Sequence, residues 1–181
     1  NEDLPCVSFL FHGIEIELYS NNKVFLEQFK LYLPPSWLQA PTQRKKKVFH
    51  FDLSNWDSKY PFDEEHSSLP HFQDGYTIQR DFVAKEYIEN DYVICSFQAQ
   101  LDDGLHNFFR WYLSPQLIPQ KKAMIHSAAI LSENEDEVLL FFGPSGAGKT
   151  TVTELSSPRK VLSDDMNVLH YDCGKILCSP G

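Results

Sequence analysis

One eight-residue segment limits the folds open to this chain more than any other feature. It consists of Gly143, Pro144, Ser145, Gly146, Ala147, Gly148, Lys149 and Thr150. The apolar run before it, residues 137–142, is typical of a strand, and the residues after it suit a short helix. A G-x-x-x-x-G-K-[S/T] pattern between a strand and a helix is a P-loop, so the sequence predicts an α/β fold that binds phosphate groups. Residues 143–150 are named the P-loop segment below.

Each residue type in the P-loop segment has a chemical reason. Its glycines let backbone N–H groups converge on phosphate oxygens, and the following helix adds the positive end of its dipole. Lys149 supplies a mobile positive charge for the outer phosphates, and the hydroxyl of Thr150 is a ligand for Mg²⁺. We therefore expect the P-loop segment, extended by Thr151, to bind ATP with Mg²⁺.

A pair of carboxylates follows, with Asp164 standing 15 residues after Lys149. Asp164 and Asp165 end a short apolar strand that begins at Val161. This spacing leaves room for one helix, residues 150–156, and a turn at Ser157-Pro158, so the strand should lie close to the P-loop strand. The carboxylates either hold Mg²⁺ or accept a proton from an attacking hydroxyl, and a solvated turn without function is the alternative.

Three segments in this order resemble the bacterial HPr kinase/phosphorylase family and its related kinases. They are Ile125-His126-Ser127, the P-loop segment and Leu162-Ser163-Asp164-Asp165, and His126 precedes Lys149 by 23 residues. The resemblance covers residues 125–169, roughly a quarter of the chain. It implies a P-loop kinase core of the HPr kinase/phosphoenolpyruvate carboxykinase type. The implied activity is ATP-dependent transfer of the γ-phosphoryl group to a serine-type hydroxyl of a protein, peptide or small molecule.

The resemblance also implies roles for single residues. Lys149 would contact the transferred group, Asp165 would be the base on the acceptor hydroxyl, and His126 would assist. Thr150 would contact the metal, and Asp164 is assigned to it as well. Thr151 stands where typical HPr kinases have a glutamate, which favours the related kinases over the HPr enzyme itself.

A later family segment with a metal-binding glutamate and further strands has no counterpart here, since this sequence ends at Gly181 after one predicted hairpin, residues 167–178. The core is therefore expected to be C-terminally incomplete, and a fragment, a truncated chain and a degenerate relative all remain open. The alternative function is a nucleotide-binding regulatory or interaction protein without efficient transfer. A GTPase is disfavoured because no N-K-x-D motif occurs.

Residues 1–119 predict an α+β region of mostly antiparallel strands, which precedes the P-loop core of residues 120–181. Strands are expected over residues 48–53, 76–83, 87–88 and 92–97, after a hairpin over residues 7–18. A helix capped by the segment Ser20-Asn21-Asn22 should bury Phe25, Phe29 and Tyr32 and end at Pro34-Pro35. Residues 55–75, with His66 and His71, predict a long surface connection. The basic residues 44–47 predict a solvated edge or loop, with phosphate binding as the alternative.

A second helix is expected after Asp102-Asp103. Its apolar residues recur at i, i+3, i+4, i+7 and i+8 and are Leu105, Phe108, Phe109, Tyr112 and Leu113. Pro115 and Pro119 should bracket the connector that follows it. Trp111 lies off the stripe and is assigned equally to packing or binding.

Composition limits the partners. The net charge of -9 disfavours nucleic acid and acidic membrane surfaces. The four cysteines form no C-x-x-C pair, which disfavours a zinc site. No stretch approaches the ~20 apolar residues of a membrane span and the chain does not open on a signal peptide, so we expect a cytoplasmic protein. The sequence leaves a homo-oligomer open.

Overall fold

The computed structural model describes residues 4–38, 47–52, 69–87, 92–96 and 103–181. The chain divides into two compact units, Asn1–Trp111 and Tyr112–Gly181. In the described ranges no helix combines the length and the apolar character needed to cross a membrane.

The described strands of the first unit form one sheet. In chain order they are β1 (Cys6–Phe11), β2 (Ile14–Ser20), β3 (Lys47–Asp52), β4 (His71–Gln73), β5 (Tyr76–Gln79), β6 (Phe82–Glu86) and β7 (Tyr92–Ser96). Their order in the sheet is β1-β2-β3-β7-β6-β5-β4. The β2–β3 and β3–β7 pairings are parallel and the other pairings between these strands are antiparallel. The prediction of a mostly antiparallel region is confirmed, around a parallel centre.

The hairpin of β1 and β2 forms where the alternation of apolar residues predicts it. His12 and Gly13 form its turn with φ of 47° and 96°, and positive φ at both central residues suits the tight twist of a two-residue hairpin loop. Val7, Phe9 and Phe11 point to the buried face of the sheet. Burial of one such side chain stabilises the fold by about 1.5–3 kcal/mol.

The first helix, α1 (Lys23–Tyr32), begins at the predicted cap. The side chain of Asn22 accepts a hydrogen bond from the Phe25 N–H at 3.0 Å, and Pro34 follows the last turn. Phe25 and Phe29 are buried as expected, but Tyr32 is 67% exposed. Leu26 and Leu33 are buried instead, each one residue after a predicted position. The buried face of the helix is therefore rotated by about one residue from the predicted stripe.

The segment predicted as one strand over residues 76–83 is two strands, β5 and β6. Asp81, which is buried, holds the turn between them: its N–H donates to Gln79 Oε1 at 3.0 Å, and its carboxylate accepts from Asn107 Nδ2 at 2.7 Å. Tyr87 follows β6 outside any strand, and Ile88 lies outside the described residues.

The surface connection predicted over residues 55–75 is only partly described. His71, predicted as a loop residue, lies in β4, and an Asp74-Gly75 turn with positive φ at both residues joins β4 to β5. Asp-Gly between two strands is a signal for a hairpin turn, so the β4–β5 hairpin could have been predicted from the sequence. His66 and the basic residues 44–46 lie outside the described residues, while Lys47 begins β3.

The second helix, α2 (Asp103–Leu117), is longer than predicted and contains Pro115, which was expected in a connector. An interior proline costs about 3 kcal/mol. Leu113 and Leu117 stand on either side of it and are almost fully buried, and two such side chains contribute about 1.5–3 kcal/mol each. Burial thus outweighs the local helix-breaking signal. The boundary between the units falls within α2, and Asp102 lies outside the described residues.

Aromatic rings fill the core of the first unit. Phe108 of α2 is fully buried and packs against Phe49, Phe82 and Tyr92 at centroid distances of 5.6, 5.5 and 5.3 Å. Trp111 lies 5.9 Å from Phe108, so its role in the first unit is packing.

The second unit is a sheet built around one long strand. Its elements are β8 (Lys122–Leu131), β9 (Val138–Phe142), α3 (Lys149–Leu155), β10 (Val161–Ser163), β11 (Met166–Asp172) and β12 (Lys175–Pro180), after a 3₁₀ turn at Ile118–Gln120. The strands β9, β10 and β11 all pair antiparallel with β8, and β12 pairs with β11. The predicted hairpin over residues 167–178 is confirmed. The carboxylate strand β10 does not adjoin the P-loop strand β9, because β8 lies between them.

Candidate functional site

The P-loop segment begins where β9 ends. Phe142, the last residue of β9, pairs with Ser127 of β8, and residues 144–147 form an exposed turn closed by a hydrogen bond from Ala147 N–H to the Pro144 carbonyl at 3.2 Å. The helix α3 starts at Lys149 and packs against β8 and β9. The strand, loop and helix expected around this segment are all present.

Glycine is required at two positions of this loop by backbone conformation. Gly146 and Gly148 have φ of 79° and 88°, in the left-handed region, which costs roughly 1–2 kcal/mol for other residues. Gly148 is also the N-cap of α3, and its carbonyl accepts from Val152 N–H at 2.9 Å. The loop therefore turns its backbone sharply into the helix N-terminus, which is the geometry that P-loops use for phosphates.

Lys149 is held inside the curve of the loop. Its Nζ donates to the carbonyls of Gly143 and Pro144 at 3.0 and 3.2 Å. Thr150 is exposed, and its carbonyl accepts from the hydroxyl of Thr153 at 2.8 Å. Thr151, predicted to contact the nucleotide, lines a cleft of about 760 Å³ on the flank of α3 together with Val152 and Leu155.

The strand β8 brings the carboxylates to the same end of the sheet as the P-loop segment. Since β9 and β10 both run antiparallel to β8, they run in the same direction and end at the same edge. Ser127 marks this point, because it pairs with Phe142 on one side and its N–H donates to the Asp165 carbonyl at 2.9 Å on the other.

His126 and Asp165 form a side-chain pair at this edge. Nε2 of His126 lies 3.3 Å from Oδ1 of Asp165, and the two side chains are 59% and 47% exposed. Their exposure leaves both groups accessible to a substrate, and the contact is an ion pair when the imidazole is protonated. His126 lies in the middle of β8.

The predicted metal ligands are exposed oxygen donors. Asp164 is exposed beside Asp165, and within the described ranges no hydrogen bond joins it to Thr150. The same residues contain no group of three or more His, Cys, Asp or Glu side chains arranged to hold a metal. Mg²⁺ is usually bound by one or two carboxylates together with phosphates and water, so a hydroxyl and a carboxylate suit it.

Sequence reasoning missed a buried polar cluster beneath the exposed pair. Asn167 and Ser127 are fully buried, and Nδ2 of Asn167 donates to the carbonyl and hydroxyl of Ser127 at 2.6 and 3.1 Å. Cys178 Sγ lies 3.7 Å from Asn167 Oδ1, and burial raises the pKa of this thiol. An asparagine inside an apolar strand was the available signal, since a buried amide needs specific partners.

The comparisons with known proteins agree with a nucleotide-using core. The family model for phosphoenolpyruvate carboxykinase matches residues 70–175, which is more than half of the chain. No curated protein matches the sequence. The matched range contains the P-loop segment, His126 and both carboxylates, although it does not test their individual roles. The chain therefore belongs to the phosphoenolpyruvate carboxykinase family, whose members use ATP in phosphoryl transfer.

Proposed function

We propose that this chain is an ATP-dependent kinase, similar to the HPr kinase-related enzymes, that phosphorylates a serine-type hydroxyl of a protein, peptide or small molecule. One observation carries the proposal: β9, which leads into the P-loop segment, lies on one side of Ser127 in β8, and Asp165, which contacts His126 of β8, lies on the other side. A phosphate donor on one side of this strand would therefore lie near a proton acceptor on the other.

The P-loop segment would bind the donor. Its backbone N–H groups and the N-terminus of α3 favour phosphate oxygens, and Thr151 continues the same helix. The ammonium group of Lys149 donates to two loop carbonyls, those of Gly143 and Pro144. A phosphate oxygen is a stronger partner than a carbonyl for this charge, so Lys149 would stabilise the negative charge that builds up during transfer.

Asp165 would accept the proton of the acceptor hydroxyl. The hydroxyl oxygen forms a bond to the γ-phosphorus, the bond from this phosphorus to the bridging oxygen of ADP breaks, and the proton moves to the carboxylate. His126, 3.3 Å from Asp165, would hold the carboxylate in place and could pass the proton to water. The products are ADP, the phosphorylated acceptor and one proton.

Thr150 and Asp164 are the residues that would hold Mg²⁺ beside the phosphates. Both are exposed oxygen donors at the edge where the P-loop segment and the carboxylates lie. Bound Mg²⁺ supplies charge neutralisation of the phosphate oxygens.

The test is transfer of label from ATP. The purified chain is incubated with Mg²⁺, γ-³²P-labelled ATP and a pool of serine-containing peptides, with an alanine-substituted pool as the matched control. We expect acid-stable phosphoserine in the serine pool alone, with ADP in equal amount. Absence of label from the serine pool and from free serine added in a parallel reaction, despite measurable ATP binding, would favour the binding protein without transfer.

A second candidate follows from the family match. A carboxykinase reaction would form a carbon–carbon bond between phosphoenolpyruvate and CO₂ and move the phosphoryl group to ADP, which gives oxaloacetate and ATP. The same protein is assayed for ATP formation from phosphoenolpyruvate, CO₂ and ADP, and activity there without peptide labelling would replace the serine kinase proposal.

A further inference from the structure

The ladder between β8 and β11 is irregular beside Asp165. In a regular antiparallel ladder every second opposite pair is hydrogen-bonded, and the two residues of such a pair exchange both of their N–H to carbonyl bonds. Ser127 N–H does donate to the Asp165 carbonyl at 2.9 Å, but the Asp165 N–H points to the hydroxyl of Ser163 at 3.4 Å. The Ser127 carbonyl instead accepts from Nδ2 of Asn167 at 2.6 Å.

The carboxamide of Asn167 is fixed at both ends. Its nitrogen also donates to the Ser127 hydroxyl at 3.1 Å, and its oxygen lies 3.7 Å from Cys178 Sγ. Asn167 and Ser127 are both fully buried. A buried amide that lost these partners would be destabilising, so this arrangement is strongly preferred over alternatives.

This arrangement has a consequence for Asp165. In a continuous strand, residues two apart point to the same face, so Asp165 would share the buried face of Asn167. The strand is interrupted between β10 and β11, and the Asp165 side chain is instead 47% exposed and reaches His126. The exposure of the Asp165 carboxylate and its contact with His126 therefore depend on Asp165 staying outside the regular ladder.

We propose that Asn167 is a positioning residue: its carboxamide takes the place of the Asp165 N–H in the β8–β11 ladder and so keeps the Asp165 carboxylate beside His126. The kinetic consequence rests on the proposed kinase function. The structural consequence does not, so the two are tested separately.

The structural test uses the NMR signals of the His126 imidazole at one fixed pH. Asp165→Asn serves as the reference, because it removes the carboxylate from the pair. We expect Asn167→Val and Asn167→Ala to shift the His126 signals in the same direction as Asp165→Asn. Val168→Ala, a truncation of the buried neighbour on the opposite face of β11, is the control and should leave them unchanged.

A measurement on the unaltered protein covers the case in which neither Asn167 variant folds. The amide of Asp165 should exchange with solvent at least about tenfold faster than the amide of Ser127, because only the latter is in the ladder. Equal protection of these two amides would overturn the proposal. So would His126 signals that respond to neither Asn167 variant, or that Asp165→Asn itself leaves unchanged.

The kinetic test follows if transfer is observed. A displaced base should lower kcat by about tenfold or more while KM for ATP stays within about threefold, because the P-loop segment is untouched. An equal fall in both Asn167 variants and in Val168→Ala would mean that lost stability alone is responsible. If no kinase activity exists, the His126 signals still decide the role of Asn167.

Discussion

Nε2 of His126, in β8, and Oδ1 of Asp165, in the short connection between β10 and β11, lie 3.3 Å apart, with about half of each side chain exposed. Exposed ion pairs contribute about 0–1 kcal/mol to stability, since water already solvates both charges. The pair is therefore better suited to chemistry at the edge of the sheet than to holding β8 and β11 together.

Replacement of His126 should consequently affect transfer more than folding. For His126→Ala we expect a fall in kcat of about tenfold or more, because the carboxylate of Asp165 loses the group that orients it. The free energy of unfolding, measured in urea, should change by less than about 1 kcal/mol. A large loss of stability with normal kcat would show that the pair is structural.

Lys149 should matter for ATP binding. Lys149→Ala removes the charge that neutralises the outer phosphates, so the affinity for Mg-ATP should fall by at least about tenfold in a calorimetric titration. Lys175→Ala is the matched control, since Lys175 is an exposed lysine at the start of β12 and is not among the residues that line the cleft beside α3. Equal affinities of Lys149→Ala and the unaltered protein would contradict the P-loop assignment.

Alanine substitutions at Gly148 and Gly174, compared with each other, distinguish an effect on nucleotide binding from an effect of backbone strain alone. The φ values of these two glycines are 88° and 82°, and a Cβ at either position would meet nothing within 4 Å. Alanine at each should therefore cost roughly 1–2 kcal/mol through conformation alone. If the loop relaxes to escape this strain, Gly148→Ala should weaken Mg-ATP binding by about 5- to 30-fold. Gly174→Ala, in the β11–β12 turn, should lower stability without changing affinity, and a similar loss of affinity in both would refute the assignment.

The features predicted correctly from the sequence have their causes within a few residues. Asn22, within the predicted capping segment, bonds to Phe25 three positions later, and Gly146 and Gly148 are needed for their own φ values. Such local requirements are visible in a single sequence.

The features that were missed have different causes. The helix α2 runs through Pro115 to Leu117, whose burial was not predicted because the apolar stripe was expected to end at Leu113, before the proline. The role of Asn167 depends on its register against Ser127, which lies 40 residues earlier in the chain. The closeness of His126 and Asp165 was suggested by family resemblance and not by spacing, since only the pairing of β8 with β10 and β11 brings them together.

The thiol of Cys178 should react slowly with alkylating reagents. Burial raises its pKa because the thiolate is poorly solvated there, so the reactive form is scarce near neutral pH. We expect iodoacetamide to alkylate Cys173, which is exposed in a turn, well before Cys178. The rate at Cys178 should continue to rise with pH above the range of an ordinary thiol. Peptide mass spectrometry resolves the two sites, and equal rates at neutral pH would contradict the partly buried position of Cys178.

The two carboxylates should differ in what they do. If Asp165 is the base, Asp165→Asn should leave the affinity for Mg-ATP within a few-fold while transfer falls by roughly 100-fold or more. If Asp164 helps to hold Mg²⁺, Asp164→Asn should weaken Mg-ATP binding, and raised magnesium should partly restore both binding and rate. Calorimetry at two magnesium concentrations and the ³²P transfer assay separate these effects, because added metal cannot replace a missing base. Recovery of Asp165→Asn by magnesium would reassign Asp165 to the metal, and a magnesium-independent loss of transfer in Asp164→Asn alone would make Asp164 the base.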